Sequence, residues 1–306
     1  MGTPEFAVAS LQAVVEAGFD VVAVITAPDK PAGRGMKLSE SAVKKWAVER
    51  GLPVLQPEKL KNPVFLEELR LLHADLQIVV AFRMLPELVW NMPSLGTINL
   101  HGSLLPQYRG AAPINWAIIN GESQTGVTTF KLKHEIDTGD ILLQEALPIR
   151  ADETAGELHD RMKEAGAALL VKTVQGLVDG SLQETPQQMI AQTGSQGKAI
   201  ALKHAPKIFT DDCKINWDSS VHQVYNLIRG LSPYPAAFTY LNGKLFKIYT
   251  AEKIITPPVA APGAYETDSK TFLRFACQDG YIAVHEIQPE GKKKMEIKDF
   301  LRGFRA

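Results

Sequence analysis

The sequence predicts an α/β fold: a doubly wound, mostly parallel sheet followed by a small C-terminal β-barrel or similar all-β unit. Three observations carry this. Apolar, strand-like runs at 21–26, 76–82 and 96–101 alternate with helical segments through the first part of the chain, as expected of βα units on a parallel sheet. Short strand-like segments broken by turn residues dominate the last third. At 306 residues the chain also exceeds what one hydrophobic core usually organises, so two domains are expected.

The elements follow in order. Pro4 to Gly18 carries Phe6, Val8, Leu11, Val14 and Val15 at helical spacing and closes on Gly18, which suits a helix C-terminus. Val21 to Thr26 reads as a strand buried on both faces. Pro28 to Lys37 is a loop rich in Pro, Gly and basic residues, Ser39 to Arg50 a helix capped by Ser39, and Leu52 to Leu55 a short strand. A helix starts at Asn62-Pro63, with Pro63 in its first position, and runs to His73. Leu76 to Phe82 is a strand, Pro86 to Trp90 a short helix, and Gly96 to His101 a third buried strand.

Ala111 to Asn120 then reads as a helix, and Gly126 to Lys133 and Asp140 to Pro148 as strands. Thr154 to Asp179 is a long helix that buries Leu158, Met162, Leu169, Leu170, Val174 and Leu177, with Thr154 and Glu157 forming a capping box. From Gly180 to Pro206 the composition turns to Gln, Gly, Ser, Lys and Ala without apolar periodicity, and this reads as a linker. Beyond it, 221–228 suits a short helix, and 238–241, 244–250, 272–276 and 280–287 suit strands. The expected division is 1–180, a linker over 181–206, and 207–306.

Composition narrows the function classes. With 45% hydrophobic and 22% charged residues, the chain has an ordinary globular balance. No apolar run approaches the ~20 residues that span a bilayer, and the first residues lack a basic region followed by an apolar block, so a soluble cytoplasmic protein is expected. Cys213 and Cys277 lie far apart without a second pair at metal-ligand spacing; buried thiols are expected rather than a disulfide or zinc site. A net charge of −1 excludes a uniformly basic nucleic-acid-binding coat. It leaves room for local basic faces: Lys198, Lys203, His204 and Lys207 cluster in the linker region, and Lys292, Lys293, Lys294, Lys298, Arg302 and Arg305 near the C-terminus.

The chemistry concentrates at Ile98-Asn99-Leu100-His101-Gly102-Ser103-Leu104-Leu105-Pro106. Asn99 and His101 stand two apart in a strand, so an amide and an imidazole project from one face near the strand's carboxyl end, where parallel sheets bind ligands. Imidazole exchanges protons near neutral pH, and an amide donor beside it stabilises a developing oxyanion. Either residue alone reads as an ordinary strand-end or turn residue; the pair is the signal. Asp137, in Asp137-Thr138-Gly139-Asp140, has turn-forming composition and joins the site only if the fold brings it to His101. Nothing matches a complete phosphate-binding glycine loop.

With Gly2-Thr3-Pro4-Glu5-Phe6, Pro31-Ala32-Gly33-Arg34-Gly35, Arg109-Gly110-Ala111-Ala112-Pro113-Ile114 and Gly230-Leu231-Ser232-Pro233-Tyr234-Pro235, these motifs resemble the folate-dependent formyltransferases. The basic loop and the C-terminal segment narrow the resemblance to the methionyl-tRNA formyltransferase family, from Gly2 to about Arg305. The resemblance implies transfer of a formyl group from 10-formyltetrahydrofolate to the α-amino group of methionine on initiator tRNA, without a metal. It implies a Rossmann-like catalytic domain and an oligonucleotide-binding (OB-like) C-terminal barrel that contacts tRNA, in a monomeric cytoplasmic enzyme of translation initiation. Asn99, His101 and Asp137 become the catalytic trio. Ser103, Leu104, Leu105 and Pro106 lie against the folate, with Phe82 and Arg83 on its pterin side. Arg34 with Lys30 and Lys37, and Lys203 with Lys207, become tRNA contacts.

Two departures from the family stand out. Its chains begin with an apolar strand running into Gly-Thr-Pro, whereas here Met1 directly precedes Gly2; an incomplete start lacking a central strand is therefore expected. Phe82-Arg83-Met84-Leu85-Pro86 stands where the family often has Tyr-Gly before apolar residues, which bears on the folate contacts. Three alternatives remain open: a formyltransferase acting on a small amine such as glycinamide ribonucleotide or a nucleotide-linked amino sugar, a non-catalytic tRNA-binding protein on the same scaffold, and a formyltetrahydrofolate hydrolase.

Overall fold

A computed structural model describes residues 1–32, 37–192 and 201–304. The chain runs through α1 (Glu5–Glu16), β1 (Val24–Ile25), β2 (Lys30–Ala32), β3 (Lys37–Ser39), α2 (Ala42–Glu49), β4 (Val54–Leu55), α3 (Pro63–Leu71), β5 (Gln77–Val80), α4 (Glu87–Trp90) and β6 (Thr97–His101). Next come β7 (Arg109–Gly110), α5 (Pro113–Ile119), β8 (Gln124–Lys131), β9 (Ile141–Pro148), α6 (Ala155–Val178), α7 (Gln187–Gln192) and β10 (His204–Ala205). The last elements are α8 (Val221–Gly230), β11 (Ala237–Leu241), β12 (Lys244–Ile254), β13 (Tyr265–Thr267), β14 (Leu273–Ala276), β15 (Tyr281–Pro289), β16 (Met295–Glu296) and α9 (Ile297–Leu301).

Two compact units interleave along the sequence. One comprises Met1–Arg109, Gly126–Leu147 and His159–Lys203; the other comprises Gly110–Thr125, Pro148–Leu158 and His204–Ala306. In the first, β5, β6, β8 and β9 lie side by side, β5 parallel to β6 and β6 antiparallel to β8. β1 pairs in parallel with β4, and the Met1–Gly2 segment links that pair to β5: Gly2 N donates to Ile25 O and Val80 N to Met1 O, both at 3.0 Å. The expected doubly wound, mostly parallel sheet is present.

Local chemistry explains most element ends. Gly18 takes φ +82° after α1, which a residue with a Cβ adopts only under strain. Asn62 caps α3 by accepting from Val64 N at 2.9 Å, with Pro63 in the first turn. At α6, Glu157 accepts from Thr154 N at 2.8 Å while Thr154 Oγ1 accepts from Glu157 N at 3.3 Å, the reciprocal box expected from the sequence.

Three local expectations are corrected. Ser41, not Ser39, caps α2, accepting from Lys44 N at 3.0 Å, because Ser39 is taken up in β3 opposite Lys30. The segment read as a loop over 28–37 therefore contains the short strand β2 and the first residue of its antiparallel partner β3. Only Val24–Ile25 of the strand expected over 21–26 is laddered; residues 20–23 carry no ladder and, with Val24, Ile25, Met1, Ile78 and Val174, line a cavity of about 410 Å³. The Met1 amino group donates to Ile78 O at 2.6 Å, and burial lowers its pKa to about 5.

The segment with linker composition also carries structure. Thr185 exchanges two 2.9 Å backbone hydrogen bonds with Ile141 of β9, and α7 follows directly. Its polar residues conceal α7, which is held by the side-chain hydrogen bonds of Gln187 and by Ile190 packed against Leu105, Phe130 and Ile141.

In the second unit, β11, β12, β15, β14 and β13 form an antiparallel sheet in that order, with β16 added on β15. Register shifts between Ile248, Thr250 and Ala251 bend β12. The resulting curled half-barrel encloses Phe246, Ile248, Phe275 and Ile282 beneath α8, whose start is fixed by a Ser220–Gln223 capping box. Both cysteines are buried here; burial pushes the Cys277 thiol up to about 12 and raises that of Cys213.

Candidate active site

The site is built at the carboxyl end of β6. Leu100 turns to one face and meets α6 at Gly166, where a Cβ would stand 2.9 Å from Leu100 Cδ2. Asn99 and His101 therefore share the other face. His101 is 7% exposed, and its Nε2 lies 2.9 Å from Tyr108 O. A carbonyl only accepts, so Nε2 carries the proton, and Nδ1 is the nitrogen left for chemistry. Nδ1 lies 3.9 Å from Asp137 Oδ2. The turn after β8 thus brings to His101 the carboxylate whose placement sequence reasoning left open.

The Asn99 side-chain oxygen is buried and has no hydrogen-bond partner among the described residues. Buried polar atoms are almost always paired, so an orphan on the face that carries His101 marks a position that a ligand completes. Tyr108 and Asp137 both have left-handed backbone, with φ 59° and 53°. Strain of this kind persists where surrounding structure over-determines it. Around Tyr108 that structure is visible: its N–H donates to Lys203 O at 2.7 Å, and Gln107 clamps Ala201 O and Lys203 N with its side-chain amide at 3.1 and 2.9 Å.

The loop after His101 is held by β8 and β9. Ser103 is fully buried and donates from Oγ to Gln107 O at 2.6 Å. Thr128 donates to Ser103 O at 2.6 Å and accepts from Leu105 N at 3.2 Å, while Gln144 Nε2 donates to Leu105 O and Thr128 Oγ1, both at 2.9 Å. Leu105 and Pro106 are buried behind a cis peptide bond, and Leu104 is half-buried.

Phe82 packs on the apolar cluster of Leu60, Phe65, Leu85 and Val89. Arg83 directs its guanidinium to Pro57 O and to Glu58 O, the latter at 2.8 Å. Of the basic residues singled out, Lys30 is exposed on β2 and Lys37 lies in β3, while Arg34 falls outside the described residues. Lys203 is exposed beside the Tyr108 loop; Lys207 is exposed in the second unit, with Nζ 5.5 Å above the Phe209 ring.

Sequence reasoning missed Thr128, Gln144 and Gln187. Gln187 is fully buried and donates from Nε2 to Asp137 O at 2.9 Å and Gly139 O at 2.8 Å. Thr128 and Gln144 sit on recognisable strands, but no local pattern distinguishes them from other strand residues. Gln187 follows Pro186 in a polar stretch, and only a partner fifty positions away reveals it. A polar cavity of about 350 Å³ opens beside the Asp137 turn, lined by Arg109, Lys133, His134, Glu135, Thr138 and Gln187.

Comparison with known proteins gives a consistent picture. The family described as formyl transferase matches residues 1–174, and the formyl transferase C-terminal domain matches 207–305. Methionyl-tRNA formyltransferase of Parabacteroides distasonis is 55% identical over 311 residues, covering 100% of this chain and 94% of the relative. The protein of that name from Bacteroides fragilis is 52% identical over 309 residues, covering 99% and 94%. Among solved structures, WlaRD, a sugar 3N-formyl transferase crystallised with dTDP and 5-N-formyl-THF, superposes with TM-score 0.66 at 20% identity, covering 95% of this chain and 97% of its own. HypX from Aquifex aeolicus, solved with tetrahydrofolic acid, superposes with TM-score 0.60 at 21% identity, covering 84% of this chain and 44% of its own. At those identities the two structures speak to fold.

Proposed function

The chain belongs to the formyl transferase family, among the methionyl-tRNA formyltransferases, and from this premise we propose that it transfers the formyl group of 10-formyltetrahydrofolate to the α-amino group of methionine on initiator tRNA. The observation that carries the chemistry is His101, with Nε2 committed to Tyr108 O and Nδ1 turned to Asp137 at 3.9 Å. The identity of the acceptor rests on relatives that match along the full chain.

The residues present fit a folate-borne formyl group. The orphaned Asn99 oxygen is an unused acceptor suited to an N–H of the attacking amine, which leaves the amide N–H for the formyl oxygen, and Ser103 to Pro106 form a preset loop directly after His101. When bound, the folate supplies a formyl carbon attached to a nitrogen leaving group. Asn99 presents its amide N–H to the formyl oxygen as negative charge gathers there. His101 accepts at Nδ1 the proton that the amine sheds on attack, and Asp137 steadies the resulting imidazolium. The same proton is then available to the departing nitrogen. Phe82 and Arg83 complete the pterin side, Arg83 through the backbone it braces at Pro57 and Glu58.

The acceptor's phosphates meet Lys30 of β2, Lys37 of β3 and Arg34 from the stretch between them in sequence, and Lys203 and Lys207 further along the chain. We assign catalysis to residues within 1–180 and tRNA binding to 207–306; 110–125 and 148–158, though inside the first range, fold with the C-terminal unit. No described helix is long and apolar enough to cross a membrane. We assign the enzyme to the cytoplasm as a monomer.

The test is formyl transfer from 10-formyltetrahydrofolate to methionyl initiator tRNA, set against transfer to glycinamide ribonucleotide and nucleotide-linked amino sugars. Formylation of the charged tRNA alone is expected. Turnover with a small amine and none with tRNA overturns the assignment, and release of formate without any acceptor indicates a hydrolase.

A further inference from the structure

We infer that Gln187 is a positioning residue for Asp137, and that Arg109 holds Gln187 in that role. Every hydrogen-bonding site of the Gln187 amide is used. Its two N–H groups go to Asp137 O at 2.9 Å and Gly139 O at 2.8 Å, and its oxygen accepts from Arg109 Nε at 3.0 Å and Nη2 at 2.5 Å. An amide has no further capacity, and at zero exposure no water competes, so its orientation is fixed.

The fixed object is the turn that carries the Asp137 carboxylate. Gathering the carbonyls of 137 and 139 onto one nitrogen constrains the peptides between them, and Asp137 is the residue held at φ 53°. From the opposite side the turn has no slack: a Cβ on Gly139 would stand 1.6 Å from Lys131 O of β8. Asp137 is thereby gripped between β8 and α7, with Oδ2 3.9 Å from His101 Nδ1. Among the described residues the Gln187 amide hydrogen-bonds to Asp137, Gly139 and Arg109 and not to His101 or Asn99, so it acts through the turn. Thr185, two residues earlier, anchors α7 to β9 by paired backbone bonds, so the amide is delivered from a tethered point.

This rests on the proposed formyl transfer for its kinetic readout, and Gln187→Glu tests it with the shape preserved. A carboxylate keeps the Arg109 contact but has no N–H for the two carbonyls. Gln187→Glu and Gln187→Leu are expected to lower kcat about 30- to 100-fold, the order associated with a misplaced catalytic group. KM for both substrates is expected to stay within about threefold, since no substrate contact is lost. Adding Gln187→Glu to Asp137→Asn is expected to cost no further activity, because both changes disable one unit. Unchanged kcat, a loss expressed in KM, or losses that multiply in the double variant overturn the inference.

In the free protein, the ring ¹⁵N resonances of His101 are expected to move in Gln187→Glu, whereas a purely structural role lowers stability and leaves them in place. That measurement needs no turnover. A wild-type chain inactive on methionyl-tRNA therefore refutes the acceptor assignment, while the His101 resonances still decide the positioning role. Should both Gln187 variants fail to fold, Arg109→Gln removes the charged fork from the half-buried rim, and the same kcat-against-KM split and resonance shift are read there.

Discussion

His101 is a histidine with one nitrogen spent and one available, and that asymmetry fixes what its loss should do. His101→Ala is expected to lower kcat at least about 10²-fold, the usual worth of a general base. Asn99→Ala is expected to cost about 10²- to 10³-fold, as for an oxyanion donor, with folate binding less affected. Wild-type turnover of either variant at saturating substrate removes that residue from the mechanism. Glu157 is held below the usual carboxylate range by the N–H and hydroxyl of Thr154, so in the acid window just below its ordinary value the unfolded chain binds more protons than the folded one, stability rises with pH there, and the contribution is lost as pH falls.

Single elements position the site, and they fail in distinguishable ways. Thr128 on β8 serves Ser103 O, Leu105 N and Gln144 at once. Thr128→Val keeps the shape and strands those partners, at about 1–3 kcal/mol for a buried unpaired group. KM for the folate is expected to rise along with the drop in Tm; a lower Tm with unchanged KM separates this loop from folate binding. Ser220→Ala removes half of the α8 capping box and is expected to cost about 1 kcal/mol with formyl transfer unaffected. The start of α3 at Asn62-Pro63 and the capping box of α6 were legible in the sequence because such signals act within four residues. The cap of α2 was misplaced from Ser41 to Ser39 because both are serines next to the same helix, and only the pairing of β3 with β2 decides between them.

At the scale of the molecule, a near-neutral net charge leaves room for local basic surfaces, and salt dependence tests for them. If Lys203 and Lys207 meet phosphates, binding of methionyl initiator tRNA weakens linearly on a log–log plot against salt, and replacing each by Ala lowers the slope by about one. A flat dependence removes these residues from the interface. The interleaving of the two compact units was invisible to a reading by composition, because residues 110–125 and 148–158 resemble their sequence neighbours yet fold with the C-terminal unit. The curled sheet was anticipated from its short strands, but β13 and β16 were not, being too short to show a period of two.

The sequence by itself determined the class of fold, the capping box of the long helix α6, the strand that aims Asn99 and His101 at one point, and the family. Each of these is written in residues close together in the chain, or in motifs whose spacing is chemical. The tertiary structure decided the rest. It brought Asp137 to His101 across thirty-six positions, turned one imidazole nitrogen to Tyr108 O, and sent Gln187 from a polar stretch into the floor of the Asp137 turn. Such contacts are set by where strands pair and which carbonyls remain unsatisfied. Local pattern carries no trace of either.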